Sequence, residues 1–373
     1  MSAPAVGLLL DTLRLHGAPS DDSLRARWAT TNLSGLNRLV RFEGVEVWLA
    51  RRARAVGAVP PGPQARVMRQ LAQHTTAQNM RIDAQTQRVL DVLDAAGMPV
   101  ALIKGQARRA AAGRYPFADA RAISDVDLLV PEATAEASWR ALCAQGFRPL
   151  YPDGSPWVVT HHLPVLTSDD LVTVELHTTL APTLSPAEAW ARATTDPDTV
   201  TWAGRTVRVP NATELLWQAL HHAVADGTRG YRLKTFLNVA CILAGEGPIA
   251  WDVVAARIAA GEIRHDETGP AIAAERIHRD LAVAAELAGV PIPVALHPHR
   301  AVRIDALLAW RLAVLRAPVG ESMRDRLLEE GLRVEAQLPV TPVSPERGAL
   351  RALRRRTASR VARLLYRSWA ARR

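Results

Sequence analysis

Residues 123–130 read ISDVDLLV, an apolar run interrupted by two aspartates one residue apart. In a β-strand successive side chains point to opposite faces, so Asp125 and Asp127 share one face while Val126, Leu128 and Val130 share the other. The chain must therefore fold so that one side of this strand meets a core and the other presents two carboxylates. A second segment, LVTVELHTTL at 171–180, follows the same rule. It places Thr173, Glu175 and His177 on one face and Val172, Val174 and Leu176 on the other. If the two strands are neighbours in one sheet, three carboxylates converge. Their mutual repulsion and the cost of desolvating them both penalise that arrangement. A divalent cation removes both penalties, and Mg²⁺ prefers one or two carboxylates together with phosphate oxygens. Two such ions can hold the attacking and leaving oxygens of an in-line displacement. The third carboxylate can then ligate metal or accept the proton of an incoming hydroxyl.

Around these strands the chain divides into four segments. Residues 1–63 read as an N-terminal helical segment, with helical spacing over 22–57 and a break at VPPGP, 59–63. Residues 64–209 form the mixed region. A long helix is predicted over 64–96, with Val67, Leu71, Val89, Leu90 and Leu93 at helical intervals. It is followed by a strand at PVALI, a Lys104-Gly105 turn, a helix over 106–114 and a loop at YPFADARA. Then come the aspartate strand, a helix over 132–146, strands at HLPVLTS and LVTVELHTTL, and a hairpin at VTWAGRTVRVP. Residues 210–337 are mostly helical. Asn211 with Glu214 three residues on has the form of a capping box, for a helix that stops near Gly227. Residues 338–373 are a proline-rich linker and a basic tail. The fold class is α+β, a small mixed sheet flanked by helices and followed by a helical domain.

The formal charge of +9 is unevenly spread. Residues 347–373 hold ten arginines and no acid, so this tail carries +10 and leaves the rest of the chain at −1. The body is electrically ordinary, which argues against a nucleic-acid binder that uses its whole surface. The tail sets Leu350, Leu353, Val361, Leu364, Leu365 and Trp369 at helical spacing among the arginines. It is read first as a helix docked on the body, and otherwise as a contact for an anionic partner. Arginine outnumbers lysine 44 to 2, which draws attention to Lys104 and Lys234. No apolar run approaches the roughly 18–20 residues that span a bilayer, and the N-terminus lacks the basic lead-in of a signal peptide. A cytoplasmic protein is the simplest reading. The two cysteines, Cys143 and Cys241, suggest neither a disulfide framework nor a metal site. The pairs His161-His162, His221-His222 and His297-x-His299 lack the flanking ligands of a zinc pattern. No Walker A or Gly-x-Gly-x-x-Gly fingerprint occurs.

LIKG, then RYPFADARAISDVDLLVP, then VELHTTL, together with LHHAVADG and RLKTFLNVACIL, resemble the uncharacterised bacterial nucleotidyltransferase family. The resemblance extends over about residues 65–245. It implies a polymerase-beta and kanamycin-nucleotidyltransferase type of core. It also implies Asp125 and Asp127 as metal aspartates, Glu175 as the third carboxylate and Arg121 as a phosphate contact. Lys104 and Gly105 stand where better-known relatives have Gly-Ser, Glu175 where relatives often have Asp, and Asn238 where the family tends to carry Asp. Ser124 and His177 join the nucleotide-binding candidates, and Lys234 is assigned to the helical half that closes over the substrate. The implied activity is transfer of a nucleoside monophosphate from a Mg-NTP to a hydroxyl of a small molecule, peptide or protein; the setting of such genes suggests peptide modification. Two other classes remain open: a sugar transferase using a nucleotide sugar, and a non-catalytic binding protein of the same fold.

Overall fold

The structure, a computed structural model, describes residues 3–31, 36–58, 63–151, 162–225, 232–264, 270–299 and 304–316. Four helices open the chain: α1 (Ala3–Leu13), α2 (Asp21–Thr30), α3 (Leu36–Glu43) and α4 (Glu46–Ala55). The apolar start of the chain is thus a buried helix, with Leu8, Leu9 and Leu13 in the core. The long helix α5 (Pro63–Ala95) falls where its periodicity predicts and buries Ile82, Val89, Leu90 and Leu93.

The central region follows as β1 (Ala101–Leu102), α6 (Lys104–Ala110), β2 (Asp125–Leu129), α7 (Glu132–Ala144), β3 (Arg148–Pro149), β4 (Leu166–Thr167) and β5 (Thr173–His177). The strands form one mixed sheet in the order β1-β2-β5-β4-β3. Among the described residues only the β2–β5 pair is parallel, and its register sets Asp125 beside Thr173 and Asp127 beside Glu175. The two aspartate-bearing and glutamate-bearing strands are therefore direct neighbours, as the alternation argument requires. Val126, Leu128, Val174 and Leu176 are fully buried on the opposite face.

Three local expectations need correction. The strand at PVALI is only two residues long, because the chain turns into a helix directly after Ile103. That helix begins at Lys104 rather than 106 and ends at Ala110, so Lys104-Gly105 is its first turn and not a turn before it. The predicted loop at YPFADARA contains a short 3-10 turn over Ala118–Ala120.

After the sheet come α8 (Pro186–Thr194) and the hairpin β6 (Asp198–Trp202) with β7 (Arg205–Val209). The helical part holds α9 (Ala212–Ala225), α10 (Leu233–Leu243), α11 (Trp251–Ala259), α12 (Ala274–Ala288) and α13 (Ile304–Arg316). Asn211 caps α9 by accepting from the Glu214 amide at 3.1 Å. The reciprocal half of the capping box is not made, because the Glu214 carboxylate is taken by Arg257. The N-terminal and C-terminal helices share one apolar core: the amides of Leu15 and His16 donate to the carbonyls of Leu287 and Ala288, at 2.8 and 3.1 Å. Glu43 makes a further link. Its carboxylate accepts from the Leu233 amide at the start of α10 (2.8 Å) and from Arg311 of α13 (2.7 Å), and both charged side chains are wholly buried. Among the described residues, no helix is long and apolar enough to cross a membrane. The expected stop at Gly227, His161, the helical pattern beyond Arg316, the linker and the basic tail lie outside the described residues.

Candidate active site on the β2–β5 face

The site is built by three short elements meeting at one sheet face. Strand pairing fixes the carboxylates: Asp125 and Asp127 project from β2, and Glu175 and His177 from β5. Asp127 and His177 are buried, whereas Asp125 and Glu175 are partly exposed. His177 Nε2 lies 2.8 Å from Asp127 Oδ1 and 3.3 Å from Glu175 Oε2, so a single ring nitrogen faces both carboxylates. The ligand atoms of Asp127, Glu175 and His177 all fall within 4.8 Å of one another, and Asp125 lies outside this group. The ring of His162, on the neighbouring segment, meets that of His177 edge-on at 5.5 Å between centroids.

From the other side comes Lys104. Its ammonium is 2.7 Å from Asp127 Oδ1 and 3.2 Å from His177 Nε2. Its backbone has φ +50°, a left-handed conformation that a residue with a side chain adopts at a cost of order 1–3 kcal/mol. Such strain clusters where a side chain must be aimed. Gly105 follows, and the Arg121 guanidinium packs against it so closely that a Cβ there would collide with Nη1. Arg121 Nη1 is buried and has no hydrogen-bond partner among the described residues. Arg121 thus keeps a spare donor beside the carboxylate face.

Electrostatics separate the two aspartates of one strand. Burial, then the negative charges of Asp127 and Glu175, push the Asp125 carboxyl up to about 6. Burial would also raise Asp127, but the Lys104 ammonium and the His177 hydrogen bond outweigh it and hold this carboxyl well below the usual range. The hydrogen bond from His177 lowers Glu175 as well. Burial lowers Arg121, against the pull of Asp127 and Asp125. Nearby Arg108 is lowered to about 9 by burial and by Arg121, and it donates to the Asn238 carbonyl at 2.7 Å. Asn238 Oδ1 is itself buried without a partner among the described residues.

Of the residues singled out from sequence, Asp125, Asp127, Glu175, His177, Lys104, Gly105 and Arg121 come together. Ser124 is exposed at the entry to β2. Lys234 lies at the Glu43 junction: its alkyl chain covers Gly44 and its charge is felt by Glu46. Two supporting residues escaped the sequence reading. Asn79 of α5 donates to the carbonyls of Asp119 and Arg121 (3.2 and 2.9 Å) and accepts from the Ile123 amide (3.2 Å). It thereby clamps the segment carrying Arg121 and leading into β2. Gln218 of α9 accepts from the Lys104 amide at 3.5 Å, and its own Nε2 is buried without a partner among the described residues. A polar residue inside an otherwise regular helix was the available signal for both, but periodicity alone does not say what it meets.

Donor chemistry fits a divalent cation: two carboxylates and an imidazole converge, and a cationic ammonium already rests among them. Residues 30–268 match the family model described as uncharacterised nucleotidyltransferase, and the chain belongs to that family. No curated protein and no solved structure matches it.

Proposed function

We propose that this member of the uncharacterised nucleotidyltransferase family transfers a nucleoside monophosphate from an NTP to a hydroxyl of a small molecule, peptide or protein. The observation that carries this reading is the parallel register of β2 and β5, which sets Asp127 beside Glu175 with Asp125 on the same face. A surface of that charge is unfavourable unless a cation and its phosphates complete it. When bound, the divalent cation, for which the sequence reading names Mg²⁺, neutralises the phosphate oxygens and polarises the phosphorus they surround.

The residues divide the remaining work. Asp127 and Glu175 hold the cation side of the triphosphate. Arg121, with its free Nη1, and Lys104 hold the phosphate oxygens, while Gly105 keeps the backbone low enough for Arg121 to lie across it. The acceptor oxygen attacks the α-phosphorus, the bond to the bridging α–β oxygen breaks, and pyrophosphate leaves with that electron pair. The acceptor's proton goes to Asp125, which shares this face and lies outside the cation-binding group.

A thermal-shift panel of NTPs and nucleotide sugars, with and without Mg²⁺ or Mn²⁺, tests the reading. Selective ligands raise the melting temperature by mass action. A cation-dependent rise with an NTP supports it, a rise confined to UDP- or GDP-sugars points to the sugar transferase, and no rise with any nucleotide points to a binding protein.

A further inference from the structure

Building on the nucleotidyltransferase reading, we infer that the cation site of this protein is a mixed nitrogen–oxygen centre. Its ligands are Asp127, Glu175 and His177, and it takes a first-row transition ion such as Fe²⁺, for which Mn²⁺ serves as the spectroscopic probe, in preference to Mg²⁺. The all-oxygen set of Asp125, Asp127 and Glu175 is what the strand alternation suggests, but the side chains converge differently. The compact group is Asp127, Glu175 and His177, with every ligand atom within 4.8 Å of the others and Asp125 left outside.

The local geometry explains why His177 belongs to it. Glu175 and His177 are i and i+2 on β5 and so share a face, and Asp127 is registered directly beside Glu175. His177 is only 1% exposed, so its ring has little freedom to turn away. One and the same nitrogen, Nε2, faces Asp127 at 2.8 Å and Glu175 at 3.3 Å. Imidazole nitrogen is a poor ligand for Mg²⁺, which favours oxygen, and a good one for the later divalent ions. The place a cation would take is marked by the Lys104 ammonium, 2.7 Å from Asp127 Oδ1 and 3.2 Å from His177 Nε2. An ion entering among these ligands displaces Lys104 and the Nε2 proton of His177, which is released to solvent and leaves the ring as its Nδ1–H tautomer. The lysine thus acts as an internal competitor that keeps the carboxylates neutralised before loading, and its release frees a positive charge for the phosphate side.

The test uses the full chain, stripped of metal with a chelator, and Mn²⁺ alone as the probe, so it does not depend on nucleotide binding or turnover. Pulsed electron paramagnetic resonance of the Mn²⁺-loaded protein is expected to show ¹⁴N modulation from a coordinated imidazole. That modulation should convert to the ¹⁵N pattern on selective histidine labelling and vanish in His177→Gln. Labelling needs no substitution, so the test survives a folding failure of that variant. In competition, Mg²⁺ should displace Mn²⁺ only at about tenfold or greater excess over the Mn²⁺ affinity, and Lys104→Met should tighten Mn²⁺ several-fold while keeping the nitrogen signature. An oxygen-only spectrum, nitrogen modulation that persists in folded His177→Gln, equal affinity for Mg²⁺, or no tightening in Lys104→Met would overturn the inference. Nitrogen-ligated Mn²⁺ in a protein that binds no NTP would sink the transferase reading and leave this centre standing; NTP binding with an oxygen-only cation would do the reverse.

Discussion

The protein buries charge in two places and treats it in opposite ways. At the helical junction, Glu43 and Arg311 are both wholly excluded from solvent: Arg311 and the Leu233 amide satisfy the carboxylate, and Arg232 and Arg311 lie over the Phe42 ring. At the β2–β5 face, three carboxylates meet one lysine and one largely buried arginine, and Arg121 Nη1 and Gln218 Nε2 are left over. The first cluster pairs one carboxylate with one guanidinium and joins helices α3, α10 and α13. The second carries an excess of one sign, with Asp125, Asp127 and Glu175 set against Lys104 and Arg121. Charge paired one to one serves architecture, and an excess of one sign gathered on a sheet face is the mark of a candidate ligand site.

The comparison breaks most visibly if one partner of the closed pair is removed. Arg311→Ala should cost about 3–5 kcal/mol in urea unfolding, because it strands a buried carboxylate. Replacing Glu43 and Arg311 together by apolar residues of similar volume should recover most of that loss. At the open cluster the sign reverses. Asp125 is raised in the folded protein, so its penalty is absent below the unfolded value near 4, builds as pH rises, and is full above about 6. Asp125→Asn should therefore stabilise the metal-free protein by about 1–3 kcal/mol at neutral pH and by little at pH 4. Asp127→Asn should do the opposite, since a lowered carboxylate contributes stability that is present above its unfolded value and lost only on acidification. Melting curves across pH for the two variants read both signs. Asn79→Ala removes three hydrogen bonds and should cost about 1–2 kcal/mol, with faster hydrogen exchange at residues 117–123. The smallest effect belongs to a site that touches neither cluster: Asn211→Ala should cost about 1 kcal/mol through the lost α9 cap and leave cation binding unchanged in calorimetry.

Much of the site was legible because strands have a period of two. That rule alone put Asp125 with Asp127 and Glu175 with His177, and it assigned the buried valines and leucines to the other face. What it does not supply is the depth of each side chain or the partner that arrives from elsewhere. Lys104 was noticed for its rarity, but its pairing with Asp127 depends on a helix that starts two residues earlier than the apolar pattern indicates. Alternation leaves His177 either as a substrate contact or as a packed, hydrogen-bonded residue; its nitrogen meets two carboxylates, a consequence of register and burial together. Lys234 carried the same rarity signal as Lys104 and lies instead beside Gly44, so rarity does not distinguish a site from a junction. Asn79 and Gln218 act across more than 40 and 110 residues of chain respectively, a reach that no local pattern records. The Asn211 cap could be read because it is local, and its failed reciprocal contact could not, because Arg257 is distant in sequence.

Calorimetric titration of each NTP into the metal-free protein, with and without added Mn²⁺ or Mg²⁺, and the same titration of Asp127→Asn, addresses the β2–β5 face most directly. The account predicts saturable binding of at least one NTP that requires the cation and weakens by tenfold or more in Asp127→Asn. Binding that ignores both the cation and the substitution, or no binding of any NTP to the folded protein, would contradict it.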